Sequence, residues 1–126
     1  MKLLFSILLA LILLFAGFTT SSTPITYQQI TQEQAKSMME SQDVIVLDVR
    51  EQDEYETGHI AGAVLLPVGS ITEDSASSVI PALDTVILVY CRSGNRSKTA
   101  SQKLIDLGYT AVYEFGGINT WPYEVE

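Results

Sequence analysis

The chain reads Val86-Ile87-Leu88-Val89-Tyr90-Cys91-Arg92-Ser93-Gly94-Asn95-Arg96-Ser97 over residues 86–97, where an apolar run passes directly into a polar loop. An uninterrupted apolar run of this length is typical of a strand buried on both faces of a parallel sheet. Behind the loop, apolar residues recur with helical spacing over residues 97–107, which predicts an amphipathic helix. We therefore predict a strand, a tight loop and a helix in succession, with Cys91 at the carboxyl end of the strand.

Strand and helix patterns alternate along the rest of the chain. Three further apolar runs predict strands at residues 44–49, 63–67 and 111–115. Thr31 and Gln34 have the spacing of a capping box, and the apolar positions that follow predict a helix over residues 32–41. The polar residues 51–58 fit a loop or a short helix. Such alternation favours an α/β fold, with a mainly parallel central sheet and helices on both faces.

The N-terminus carries a separate signal. Met1 and Lys2 precede sixteen apolar and small residues without a formal charge, residues 3–18. This is a suitable length for the core of a signal peptide and is short of the ~20 residues that a spanning helix needs. We predict a signal peptide or an N-terminal membrane anchor over residues 1–22, and one domain over residues 23–126. The protein is then expected to be exported to the periplasm or another extracytoplasmic compartment, with membrane anchoring if the segment is retained.

Charge and cysteine content narrow the classes of function. Fifteen acidic residues against seven basic ones give a net charge of −8, which argues against nucleic acid as a partner. Three of the seven basic residues, Arg92, Arg96 and Lys98, follow Cys91 closely, as expected for a small anion-binding site. Cys91 is the only cysteine, so it can form neither an intrachain disulfide nor a dithiol exchange pair.

The loop after the strand has the composition of an anion receptor with a nucleophile at its base. The first N–H groups of the following helix lack internal partners and carry partial positive charge. Together with Arg92 and Arg96, they are expected to stabilise a thiolate at Cys91 and to lower its pKa. Gly94 and Asn95 tolerate a positive φ, which lets successive amides turn inward. We therefore interpret Cys91 as a nucleophile rather than as a buried apolar residue.

Four ordered motifs spread over residues 27–123 point to one family. They are the loop at residues 91–97, the strand end Leu47-Asp48-Val49-Arg50, Glu54 followed by Gly58-His59-Ile60-Ala61-Gly62-Ala63, and Gly116-Gly117 with Trp121. Together they resemble the signatures of the rhodaneses, a family of sulfurtransferases.

The resemblance implies a rhodanese-like fold and sulfur transfer without a cofactor or a metal. Cys91 would attack the sulfane sulfur of a small anionic donor such as thiosulfate, and would pass it from a persulfide to a thiol or to cyanide. The substrate-binding residues that the resemblance implies are Arg96, Arg92, Ser93, Gly94, Asn95 and Ser97. The residues expected to fix the loops around the site are Asp48, Arg50, Glu54 and His59.

Two other functions stay open on the sequence alone. A cysteine phosphatase that resembles rhodanese would have five residues between cysteine and arginine, whereas four separate Cys91 from Arg96. Tyr90 also stands where such phosphatases usually carry a histidine. The other alternative is a rhodanese-like module that binds a partner or delivers sulfur without catalysis, although such modules often lack the loop cysteine. The acidic residues 51–56 match no metal-ligand spacing, and no metal site is predicted.

Overall fold

The computed structural model describes residues 23–126, which form an α/β structure around one five-stranded sheet. The strands are β1 Gln28–Gln29, β2 Ile45–Asp48, β3 Val64–Leu65, β4 Val86–Cys91 and β5 Ala111–Gly117. The helices are α1 Gln32–Ser41, α2 Gln52–Thr57, α3 Glu73–Val79 and α4 Asn95–Asp106, and there are 3-10 turns at Val68–Ser70 and Ile118–Thr120. The predicted signal peptide or anchor, residues 1–22, lies outside the described residues. Within residues 23–126, no helix is both long enough and apolar enough to cross a membrane.

The strand order across the sheet is β1-β5-β4-β2-β3, and every neighbouring pair is parallel. The α/β fold with a mainly parallel sheet is therefore confirmed, and all five strands share one direction. The carboxyl ends of β2, β4 and β5 consequently lie along one edge of the sheet, which is the edge where ligands bind in open α/β sheets.

The sheet is covered on both faces, because successive side chains of its central strands point to opposite sides. Leu47 and Val89 pack into one core, which also holds Leu104 of α4. Val46 and Leu88 pack into a second core, which includes Ala35 of α1. Cys91 belongs to the first core, so its side chain faces α4.

Local signals in the sequence predict most elements and miss some of their ends. The helix at residues 32–41 forms as predicted, with Thr31 Oγ1 accepting from the Gln34 amide and Gln34 Oε1 accepting from the Thr31 amide. Helix α4 begins two residues earlier than predicted, at Asn95, because Gly94 caps it in the left-handed conformation. β1 was not predicted, since its two residues are exposed and are extended only through pairing with β5.

Candidate active site

Cys91 is the last residue of β4 and is 1% exposed. After it the chain turns sharply, because Gly94 adopts φ 106°, a value that L side chains rarely adopt. Asn95 does not share this conformation and is already the first residue of α4. The turn directs the Gly94 amide at the thiol, with N to Sγ at 3.1 Å. The sulfur therefore lies at the N-terminus of a three-turn helix and accepts a hydrogen bond from the loop backbone.

The end of β5 packs closely against the loop that follows Cys91. A Cβ on Gly117 would lie 2.1 Å from the carbonyl oxygen of Arg92, so only glycine permits this approach. The same carbonyl accepts a hydrogen bond from the amide of Asn119 at 3.2 Å. The paired glycines of the sequence motif therefore let β5 pass directly against the loop that follows Cys91.

The environment of the thiol favours its ionised form. Burial alone would raise the pKa of Cys91, but hydrogen bonds from the Ser97 hydroxyl and from the amides of Ser97, Gly94 and Ser93 outweigh it and lower the pKa. The groups that lower this pKa are neutral donors of the loop and of the first turn of α4. The sequence prediction included these backbone donors and also expected Arg92 and Arg96 to contribute.

Ser97 lies beneath the loop and is fully buried. Its Oγ is 3.4 Å from Cys91 Sγ and 2.7 Å from Oε1 of Glu114 on β5. Ser97 was predicted to bind substrate, but its hydroxyl faces these two side chains rather than solvent. Glu114 was not predicted at all. The available signal was a carboxylate inside the apolar run at residues 111–115.

The two arginines have different environments. Both terminal nitrogens of Arg96 donate to Glu54 of α2, with Nη1–Oε1 at 2.6 Å and Nη2–Oε2 at 2.9 Å. Hydrogen bonding to Arg96 lowers the pKa of Glu54 to about 2. Arg96, which the resemblance assigns to substrate binding, is thus paired with a carboxylate of the chain itself. The pairing of Glu54 with Arg96 connects α2 to the start of α4.

Arg92 is exposed and borders a surface cleft of about 510 Å³ beside the loop. Arg50, Glu54, Trp121 and Tyr123 line the cleft as well. Trp121 also packs against Phe115 of the second core, with ring centroids 5.5 Å apart. The cleft therefore combines an available guanidinium with an aromatic rim, next to the thiol loop. Ser93 and Asn95, the other predicted contact residues, are exposed on the outer side of the loop.

A buried network fixes the neighbouring strand ends. Asp48 accepts from Nε and Nη2 of Arg50, with the shortest distance 2.7 Å, and from the Tyr90 hydroxyl at 2.6 Å. The Tyr90 hydroxyl accepts in turn from the Ile60 amide at 3.0 Å, and Arg50 Nη2 donates to the carbonyl of Gly58. Burial and the hydrogen bond to Asp48 raise the pKa of Tyr90. This network joins the ends of β2 and β4 to the loop at residues 58–60.

His59 lies outside that network and outside the thiol loop. Its ring stacks on Tyr55 at 3.8 Å, Nδ1 lies 3.0 Å from the Tyr55 carbonyl and Nε2 lies 3.3 Å from a carboxylate oxygen of Glu126. Both ring nitrogens therefore have partners other than Cys91, which gives His59 no role as a base for the thiol. Among residues 23–126, no group of three or more His, Cys, Asp or Glu side chains could hold a metal ion.

The fold and the site together define a class: α/β proteins that hold a buried cysteine in a tight loop between a central parallel strand and the helix that follows it. A family model described as a rhodanese-like domain matches residues 31–123. The chain belongs to this family.

Named relatives and solved structures agree with this assignment. Thiosulfate sulfurtransferase GlpE of Coxiella burnetii is 35% identical over 96 residues, which cover 75% of this chain and 87% of that protein. Thiosulfate sulfurtransferase PspE of Escherichia coli is 38% identical over 72 residues, which cover 57% and 68% of the two chains. The solution structure of the rhodanese-like domain of Alr3790 from Anabaena sp. superposes with a TM-score of 0.71 at 29% identity, covering 83% of this chain and 80% of that one. A rhodanese with anions from E. coli gives a TM-score of 0.62 at 26% identity, covering 67% and 98%.

Proposed function

We propose that this protein is a sulfurtransferase that accepts a sulfane sulfur on Cys91 and passes it to a thiol or to cyanide. The observation that carries the proposal is the placement of Cys91 Sγ, 3.1 Å from the Gly94 amide at the N-terminus of α4. A thiolate there needs no separate general base, because backbone donors and the helix terminus already stabilise it. The names of GlpE and PspE point to thiosulfate as the donor, and polysulfides or persulfides would react by the same chemistry.

The proposed reaction has two steps. A lone pair of the Cys91 thiolate forms a bond to the sulfane sulfur of thiosulfate, and the electrons of the sulfur–sulfur bond leave with sulfite. The outer sulfur of the resulting persulfide is then attacked by the acceptor, which regenerates the thiolate. Loop amides stabilise the anionic sulfur in both steps. Arg92, exposed at the edge of the cleft, is the guanidinium available for the sulfonate end of the donor.

The test is to incubate the purified full chain with thiosulfate and to measure its mass. We expect a gain of one sulfur atom on wild type, none on Cys91→Ser, and release of the sulfur as thiocyanate when cyanide is added. Cys91→Ser replaces one buried atom, so its thermal melt should match that of wild type. Production of thiocyanate from thiosulfate and cyanide by the folded Cys91→Ser variant, or no gain of sulfur on wild type, would contradict the proposal.

The same purified protein can be used to test the two alternative functions, a phosphatase and a non-catalytic module. A phosphatase would hydrolyse p-nitrophenyl phosphate in a Cys91-dependent manner and would gain no sulfur. A non-catalytic module would do neither. The four-residue spacing from Cys91 to Arg96, together with the capture of Arg96 by Glu54, disfavours a phosphate cradle.

Export remains part of the proposal, on the strength of the apolar residues 3–18. Fractionation of cells that produce the full chain should place it outside the cytoplasm. N-terminal sequencing of that fraction distinguishes a cleaved signal peptide from a retained anchor. Recovery of the intact chain in the cytoplasm would contradict export.

A further inference from the structure

Glu114 is a buried carboxylate beside the nucleophile, and the proposed reaction assigns it no role. It is 3% exposed and lies on β5, facing the first turn of α4. Among residues 23–126, no Lys, Arg or His side chain forms an ion pair with it. A buried carboxylate without a cation is costly, so its hydrogen bonds and position need an explanation.

Glu114 accepts hydrogen bonds from three donors. Oε1 accepts from the Ser97 hydroxyl at 2.7 Å and from the Gly116 amide at 2.8 Å, and Oε2 accepts from Gln29 Nε2 at 3.3 Å. All three partners are able to donate, and two of them belong to elements packed on either side of β5.

Ser97 has one hydroxyl proton and two neighbours that compete for it. The proton can go to Glu114 Oε1 at 2.7 Å or to a thiolate at Cys91 Sγ, 3.4 Å away, but not to both. When Ser97 donates to Glu114, its oxygen is free to accept from the S–H of Cys91. This arrangement stabilises the thiol form. Ser97 lowers the pKa of Cys91 only when its hydroxyl proton turns from Glu114 to the sulfur.

We propose that Glu114 is a positioning residue that draws the Ser97 hydroxyl proton away from Cys91 and so limits the thiolate fraction that the loop amides support. The thiolate forms when the Ser97 hydroxyl turns its proton from Glu114 to Sγ and the thiol proton leaves to solvent. The S–H electron pair stays on sulfur. The inference deepens the proposed sulfurtransferase function and rests on Cys91 being its nucleophile.

Few other charged groups lie near Cys91, Ser97 and Glu114. Arg96, on α4, is paired with Glu54 of α2, and Lys98, on the same helix, is exposed and shares a surface cavity with Glu114. β2, the other neighbour of β4, contributes Asp48, which is paired with Arg50. β1 contributes only the neutral Gln29. Glu114 is thus the charged group that is joined to Cys91 through a single intervening side chain.

The experiment measures the alkylation rate of the full chain by iodoacetamide between pH 5 and 10, and it uses no sulfur donor. Cys91 is the only thiol, so the modification reports Cys91 alone, and the pH at the midpoint of the rate profile reports its ionisation. In Glu114→Gln we expect the midpoint to fall by about one pH unit, which is about a tenfold faster reaction below the midpoint. In a Ser97→Ala background the same substitution should shift the midpoint less, because the hydroxyl that connects Glu114 to Cys91 is then absent. The exposed Glu40→Gln should leave the profile unchanged.

The outcomes are decisive in either direction. An unchanged or raised midpoint in Glu114→Gln would overturn the proposal, and an equal shift in both backgrounds would show an effect through space rather than through Ser97. If Glu114→Gln does not melt cooperatively, Glu114→Asp replaces it; its shorter side chain withdraws from Ser97 and should also lower the midpoint. Failure of these predictions would leave persulfide formation on wild type unaffected, so the two proposals can be judged separately.

Discussion

Replacing Tyr90 by Phe tests whether the buried network beside the thiol is a major source of stability. The ring stays, so its packing against Phe115 is retained, and only the hydroxyl is lost. That hydroxyl donates to Asp48 at 2.6 Å and accepts from the Ile60 amide at 3.0 Å. A hydrogen bond to a charged group contributes about 1.5–3 kcal/mol, and a buried unsatisfied amide costs about 1–3 kcal/mol. We expect Tyr90→Phe to lower the free energy of unfolding by about 3–5 kcal/mol.

Tyr109→Phe is the matched control. Tyr109 is also buried, and its hydroxyl donates to one neutral carbonyl, that of Ile80, at 2.7 Å. Its loss should cost less, about 1–2 kcal/mol, because only one neutral carbonyl loses a partner. Urea unfolding of the two variants and wild type measures the difference, and the melting temperature should fall by about 4–8 °C per kcal/mol in a domain of this size. Equal destabilisation by the two substitutions would refute the reasoning, since the charged network would then contribute no more than one ordinary hydrogen bond.

Two further predictions concern the charges around the loop. Arg92→Ala should raise the KM for thiosulfate about tenfold, as expected for the loss of one charge-assisted hydrogen bond, and should leave urea unfolding nearly unchanged. Arg96→Ala should instead lower stability, because it leaves Glu54 without its partner; the reverse pattern in kinetics and unfolding would assign donor binding to Arg96. The Arg96–Glu54 pair also predicts a pH dependence of stability. Arg96 lowers the pKa of Glu54 from 4.5 to about 2. The ionised Glu54 therefore stabilises the folded protein fully above about pH 5, and this stabilisation is lost as the pH falls through the pKa of the folded state. The difference in melting temperature between wild type and Glu54→Gln should therefore be constant near neutral pH and close toward pH 2, and a constant difference down to pH 2 would contradict it.

The fold could be predicted from sequence where the signals are local. The capping box of Thr31 and Gln34 is contained within four residues, and the apolar run of β4 needs no partner to be recognised. β1 could not be found in this way. It consists of Gln28 and Gln29, which have exposed polar side chains and become a strand only because β5 lies beside them.

In the site, too, relationships between residues close in sequence could be predicted and those between distant residues could not. Cys91 and Gly94 belong to one short loop, so their relationship is visible in the sequence. The partners of Arg96 and Ser97 are 42 and 17 residues away, and no local pattern indicates which carboxylate will meet which side chain. The loop residues were therefore predicted from the sequence. Arg96 was predicted to bind substrate, and in the structure it is paired with Glu54.

The distribution of charge around Cys91 bears on which anion the loop can hold. Glu54 occupies the fork of Arg96, and Glu114 places a second carboxylate under the loop, so the base of the site has little excess positive charge. A tetrahedral dianion drawn fully into the loop would lie near both carboxylates with only backbone donors to offset the repulsion. A sulfane sulfur brings a single charge to Cys91, and its sulfonate group can stay at the edge of the cleft beside the exposed Arg92. We infer that the loop selects donors whose transferable atom is separated from their main charge, which is a property of thiosulfate and not of phosphate.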